Sequence, residues 1–367
     1  MEDGVLIYGG TYYHESLAGS NRSSRMSREN RIRGDGSLTT SFLYSVARSW
    51  VYTLRSEKSH QEFAIMKRAV SISIGSPKRD KAVTVNLLGE DISIERIGTN
   101  GDMDAAALKY KELDGKVDAF GVGGADLGVM VDGKWYRLFS VEKMVRYIKE
   151  TPVVDGTGLK NTLERKAAPF VDAKLGDYLQ KMGGKKAFVM TGVDRWGLAH
   201  GFVQAGYECV FGDFMFSLGM NIPIHTEAQI KTLAGILMPV AGRLPFDWIY
   251  PTGEKQNERK PKYPKWFEWA TVVAGDCLYI KRYMPDDMQG KVVVTNTTTP
   301  QDVELFKKCG VKYLVTTTPI LDGRSFGTNM MESALIALSG KKRVLTSEEY
   351  EELLAKLGFE PSLQELN

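Results

Sequence analysis

Two short stretches hold residue types from which a small-molecule site could be built. The first is PVVDGTGLKNTLERK, Pro152 to Lys166, where a strand and a glycine turn lead into Asp155, Lys160 and Asn161. A lysine beside an amide and an aspartate can hold a hydroxyl by charge-assisted hydrogen bonds and pass its proton. Lys160 is therefore the candidate proton donor or acceptor, with Asp155 and Asn161 to orient it. The same residues also read as a turn shaped by Asp155 and Asn161, with Lys160 solvated on the helix it opens. A second glycine turn, GVGGADLG from Gly121 to Gly128, reads mainly as structural, and Asp126 is its one residue that could face a cleft.

The second stretch is KKAFVMTGVDRWGLAHGFVQAGYECVFGDF, Lys185 to Phe214, which reads as strand, glycine turn, helix, strand and acid. Gly192 and Gly197 stand where the first and third glycines of G-x-G-x-x-G would stand, for the tight turn and for close helix packing. Asp194 replaces the middle glycine, and its carboxylate would repel a diphosphate unless it turns away, for example to cap the helix that follows. Asp213 comes 21 residues after Gly192, close to the ~20 expected for an acid on the adenosine ribose, and such an acid favours NAD over NADP. Asn296 and Thr297, beyond the strand KVVVT, could hydrogen-bond a ribose or nicotinamide, or belong to a threonine-rich turn that caps the next helix. Gly192, Asp194, Gly197, Asp213, Asn296 and Thr297 are thus the candidate cofactor-binding residues.

Strands and helices must alternate to place these groups. RAVSISIGS, KAVTVNLL and DISIERIG are β-branched and alternating, and KVDAFGVGG is a strand running into its turn. DMDAAALKYKELDG has acids at its start and Gly115 at its end, the polarity a helix dipole favours. KKAFVMTG, WATVVAGD, KVVVT and VKYLVTTTP are short apolar strands of the kind buried on both faces of a parallel sheet. TEAQIKTLAGILMPVAGR carries the stripe Ile230, Leu233, Leu237 and Val240, with Pro239 expected to bend or end it. In TSEEYEELLAKLG, Thr346 and Glu349 form a capping box and Gly358 closes the helix. The fold class is α/β: a small N-terminal α/β substrate domain over 66–181, then a Rossmann-type doubly wound parallel sheet over 182–345. Residues 346–367 form a capped helix and tail.

Residues 1–65 differ from the rest. They carry seven arginines against one lysine, whereas the remainder has 12 arginines and 28 lysines. The segment lacks a sustained period or enough apolar residues for a core, and is expected to be a disordered or non-native extension. Across the chain, 48 basic and 45 acidic residues leave +3, too even for a nucleic-acid or membrane footprint. No apolar run approaches the ~18 residues of a membrane span. Three scattered cysteines and four histidines show no ligand spacing, so no metal is indicated and a reducing cytoplasm is expected. The expected partner is a small-molecule substrate, and the fold type is compatible with a homo-oligomer.

The strings KRAVSISIGSPKRDKAV, ERIGTNGDM, KVDAFGVGG, DGTGLKNTLER and RSFGTNMMESALIAL resemble proteins described as quinate or shikimate 5-dehydrogenases, over about Met66 to Gly340. The resemblance implies a smaller α/β domain followed by a Rossmann domain, and NAD(P)-dependent oxidation of a ring hydroxyl on a carboxylated cyclohexane polyol. It also implies a lysine and an aspartate at that hydroxyl, with Lys160 the closest candidate for the lysine. The expectation is an NAD(P)-dependent oxidoreductase, with NAD the favoured cofactor. The alternative is a non-catalytic ligand-binding or regulatory protein on a degenerate Rossmann scaffold, in which Asp194 marks the loss.

Overall fold

A computed structural model describes residues 66–246, 259–321 and 324–367. The expected N-terminal extension, and most of the proline-rich stretch after Phe246, lie outside the described residues. Residues 66–367 fall in one compact unit built on two sheets.

The first sheet comprises β1 (Lys67–Ser73), β2 (Lys81–Leu87), β3 (Glu90–Gly98), β4 (Ala119–Gly123) and, after a small hairpin of β5 (Gly128–Val131) and β6 (Lys134–Arg137), β7 (Val153–Val154). Its order is β2-β3-β1-β4-β7, parallel throughout except for β2, which runs antiparallel to β3. The chain goes from β1 to β3 on one side and then crosses to β4 on the other. The ends of β1 and β4 therefore flank a topological switch point, where open α/β sheets leave a crevice.

The second sheet contains β8 (Lys186–Val189), β9 (Glu208–Phe211), β10 (Val272–Gly275), β11 (Val292–Thr295) and β12 (Tyr313–Thr316). The short pair β13 (Ile320–Leu321) and β14 (Arg324–Ser325) follows, and β15 (Ser362–Glu365) closes the far edge antiparallel to β12. The order β15-β12-β11-β10-β8-β9 gives the parallel strands the flavodoxin-like arrangement 2-1-3-4-5, with its switch point between β8 and β10. Valines alternate between the two faces: Val292 and Val294 pack with the helices Ala167–Lys181, Trp196–Gln204 and Glu227–Ala241, while Val293 packs with Phe267, Ile280 and Phe306 opposite. That double burial explains why these strands read as continuous apolar runs. Each fully buried Val or Leu contributes roughly 1.5–3 kcal/mol relative to exposure.

Several capping expectations hold. Asp102 accepts from Ala105 N at 2.8 Å to start Met103–Leu113, and Thr346 with Glu349 makes the capping box of Ser347–Lys356. Other expectations need correction. Val240 is 64% exposed rather than part of the buried stripe, in a helix that stops at Ala241, two residues after Pro239. The helix Thr328–Ser339, expected within the second domain, lies against the first sheet: Met330, Met331, Ala334, Leu335 and Leu338 share a core with Ala69, Ile92, Ile94 and Ala119. Tyr350 and Leu354 from the last helix join the same core. The chain thus returns to its first sheet late, because this helix is buried along nearly its whole length and the open face of β1, β3 and β4 needs a cover.

Candidate functional site

The short helix carrying Lys160 is set by the turn before it. Gly156 has φ 104°, the left-handed region that a side chain would resist. Asp155 locks this turn, its carboxylate accepting from Thr157 N at 3.0 Å and from Leu127 N at 2.7 Å. The second bond ties the exit of β7 to the loop after β4, which carries Asp126. Lys160 lies near the end of the helix Thr157–Asn161 rather than opening it. From the other side comes the helix Trp196–Gln204. A methyl on Gly197 would overlap the Lys160 carbonyl and lie 2.7 Å from Asn161 Cα, so the third glycine of the turn is needed for a helix-to-helix approach rather than a helix-to-strand one.

Lys160 Nζ is thereby held 2.8 Å from Asp126 Oδ1 and 2.8 Å from Asp194 Oδ1. Asp126 comes from the switch point of the first sheet and Asp194 from that of the second. With 8% of its side chain exposed, Lys160 would tend to lose its proton through desolvation, but the two carboxylates outweigh burial and raise its pKa well above the ordinary value. Burial pushes the Asp126 carboxyl up to about 6 despite the attraction of Lys160, with Asp194 and Asp155 adding to the rise. Burial opposes ionisation of Asp194 too, yet Lys160 and Arg195 hold its carboxyl below the usual range.

Arg195 extends the cluster. Its guanidinium pairs with Glu164, with Asp276 Oδ2 at 2.7 Å and with Asp194 Oδ2 at 3.7 Å. Asn296 Nδ2 donates to Asp276 Oδ2 at 2.9 Å, and Asn296 Oδ1 accepts from Cys277 N at 3.2 Å. Burial raises the Glu164 carboxyl, with Arg195 opposing. Two cations thus face four carboxylates, and Glu164 Oε2 and Arg195 Nε are buried with no hydrogen-bond partner among the described residues. Among those residues, no group of three or more His, Cys, Asp or Glu side chains is placed to hold a metal.

The glycine turn is where a dinucleotide would have to sit, and its donors are taken. Asp213, 3% exposed, turns its carboxylate inward and accepts from Gly192 N at 2.9 Å and Val193 N at 2.8 Å. Burial pushes this carboxyl up to about 6, and the two amides counter the rise. A diphosphate needs those amides free, and a ribose would need Asp213 to face outward. In this arrangement the residues do not fit a dinucleotide.

The candidate residues thus divide. Lys160, Asp194 and Asn296 meet in one cluster, Gly197 makes the approach possible, and Gly192 and Asp213 form a closed pair beside it. Thr297 is half-buried next to Asn296, and the turn caps the helix Pro300–Lys308 through Thr299 and Asp302. Asp155 and Asn161, expected to orient Lys160, make no hydrogen bond to it; Asn161 Nδ2 donates to Thr157 O at 3.0 Å. The partners of Lys160 are Asp126 and Asp194 instead. Nor does Asp194 cap a helix: Arg195 occupies the N-cap, with no side-chain cap bond. Arg195, Glu164 and Asp276 were not singled out from sequence. Asp276 had a usable signal, since it directly follows a buried strand; Glu164 had none.

Comparison with known proteins places the chain. Residues 158–366 match the family described as a domain of unknown function, DUF8754. The chain belongs to this family. Residues 68–155 match a second domain of unknown function, DUF8753, so the two family matches meet at the glycine turn before Lys160. No curated protein matches. Among solved structures, an NAD-dependent malic enzyme from Thermotoga maritima is similar at 11% identity and TM-score 0.32, covering 90% of this chain and 95% of its own. A malic enzyme from Pyrococcus horikoshii gives 13% and 0.27, with coverages of 87% and 77%. A galactofuranose-binding protein gives 13% and 0.29, with 79% and 99%.

Proposed function

We propose that the protein is an enzyme that moves a proton on a hydroxyl or carbonyl oxygen of a small polar substrate at the Lys160 cluster. The observation that carries this is the lysine held at 2.8 Å from two carboxylates where the switch points of both sheets meet. Lys160, kept charged, supplies the positive charge that orients and polarises the substrate oxygen. Asp126, with a carboxyl near pH 6, is the group that takes up or returns the proton, since an acid–base residue works best near the operating pH. Asp194 positions the ammonium and is itself held beside Arg195.

The quinate or shikimate resemblance supports a finer form, in which the oxygen is a ring hydroxyl and NAD(P) accepts the hydride. That form requires Asp213 to leave the turn and free the amides of Gly192 and Val193. The second reading, a ligand-binding protein without turnover, is favoured by the same inward-facing Asp213.

A panel of cyclic and acyclic hydroxy and keto acids, with and without NAD and NADP, separates these readings. Nicotinamide absorbance and deuterium uptake from heavy water are the two signals. Asp126→Asn is expected to lower turnover by about 100-fold or more, the scale of a lost general base, while its circular dichroism stays native. A rate equal to that of the native chain would remove Asp126 from the mechanism.

A further inference from the structure

A second charged group lies on the same edge of the first sheet, outside the cluster. The parallel strands β1, β3 and β4 end in register, Ser73 facing Gly98 on one side and Gly123 on the other. The chain leaves β1 through Gly75, Ser76 and Pro77, and this loop rests directly on the end of β3: a methyl on Gly98 would lie 2.8 Å from Gly75 O and from Pro77 N. Over the loop two guanidiniums converge. A methyl on Gly75 would lie 2.7 Å from Arg79 Nη2 and 2.8 Å from Arg96 Nη2, so the glycine leaves the space both cations share.

The two arginines are held differently. Arg96 has only 10% of its side chain exposed and is fixed by Asp80 Oδ1 at 2.7 Å, Ser76 O at 3.1 Å and Ser73 Oγ at 2.9 Å. Arg79 is exposed, and its guanidinium makes no hydrogen bond or ion pair among the described residues. Asp80 offsets one positive charge and leaves the other. Burial lowers the Arg96 pKa, and the neighbouring Arg79 lowers it further, as expected of like charges that lack a shared anion. Ser73 Oγ, itself buried, already accepts from Arg96 and from Gly75 N at 3.1 Å, which leaves its own proton to donate.

The geometry points to Arg79, Arg96 and the Ser73 hydroxyl as an oxyanion site, which binds a carboxylate or phosphate of the molecule that reacts at Lys160. This deepens the proposed function and rests on it for the identity of the reacting end. The two sites are near enough for one small molecule. A methyl on Gly124 would lie 3.5 Å from Ser73 Oγ, and Asp126 is two residues further on, at most about 7 Å of chain. Planar guanidiniums suit an oxyanion because their N–H groups pair with two oxygens at once. The substrate class is therefore a small acid or phosphate ester whose hydroxyl or carbonyl sits a short span from its charged group.

The test uses the full chain and two probes, sodium phosphate and sodium malonate, titrated against sodium chloride at constant ionic strength. Amide shifts of Gly75, Ser76 and Gly98 are read by NMR. Saturable shifts at these amides are expected with at least one probe, and the stronger probe tells phosphate from carboxylate. Arg79→Gln, whose side chain holds nothing else in place, should weaken that binding by about tenfold, the scale of one charge-assisted hydrogen bond. No saturable shift with either anion beyond the chloride control, shifts confined to Asp126 and Leu127, or equal affinity in Arg79→Gln would each overturn the site. Anion binding that Arg79→Gln weakens, together with a native rate in Asp126→Asn, would keep this site and remove the reading of the reaction.

Discussion

The carboxylate of Asp213 hydrogen-bonds the amide of Gly192 at 2.9 Å, so the acid at the end of β9 closes the turn that it was expected to serve. Position in sequence placed both residues correctly, but the side chain had two directions open to it. Pointing outward, it would meet a ribose; pointing inward, it satisfies two amides of the turn that precedes the helix.

The consequence for cofactors can be measured directly. With Gly192 and Val193 amides occupied, NADH and NADPH are expected to give no saturable fluorescence change below roughly 1 mM, the upper end of ordinary KM values. Tight binding of either nucleotide would show that Asp213 swings out. Asp213→Ala should lower stability by about 1–3 kcal/mol for each buried amide left unpaired, seen as a lower denaturant midpoint at unchanged slope.

Lys160 should matter to the fold as well as to chemistry. Lys160→Met leaves Asp126 and Asp194 facing each other without their cation, and breaking a buried pair in this way costs about 3–5 kcal/mol. Asp126→Asn should cost much less, because Lys160 keeps Asp194 at 2.8 Å. Urea unfolding of the two variants tests the order, and equal losses would mean that the pairs are not coupled through the lysine.

Gly197 and Gly176 make a contrasting pair of helix glycines. A methyl at Gly197 overlaps the Lys160 carbonyl, whereas one at Gly176 meets nothing within 4 Å. Gly197→Ala should therefore destabilise by about 1–3 kcal/mol through overpacking, and Gly176→Ala should stabilise by up to about 1 kcal/mol through helix propensity. Thermal melts of both variants provide the comparison; a neutral Gly197→Ala would mean that the two helices are not in contact.

Glu332 introduces a dependence on pH. It is fully buried, accepts from Tyr350 Oη at 2.7 Å and Gly158 N at 3.1 Å, and is pushed up to about 8 by burial and then by Asp155. The folded state thus holds this proton more tightly than the unfolded chain, so the stability it contributes is complete below the ordinary glutamate pKa. That stability is lost as pH rises towards and through 8. Glu332→Gln should flatten the decline between pH 5 and 8.5, as read by unfolding at a series of pH values. An unchanged slope would assign the decline to other groups.

Much of this was legible in the chain. Continuous apolar runs announced the buried strands, and the acids at Asp102, with Thr299 and Thr346, announced helix starts, because caps and periodicity depend on neighbours a few residues apart. The helix Thr328–Ser339 was legible as a helix but not as a cover for the first sheet, since an apolar helix face carries no mark of the sheet it will meet. Asp126 was visible as a residue able to face a cleft, but its partner Lys160 was not, being 34 residues away.

The sequence by itself determined the α/β class, the glycine turns and which residues would stand at strand ends, since these follow from local sterics and hydrophobic period. Only the tertiary structure decided which acids would share Lys160, which way Asp213 would turn and how two arginines would meet over Gly75. Those outcomes depend on groups far apart in the chain, brought together by packing, where an unpaired buried charge is too costly to leave.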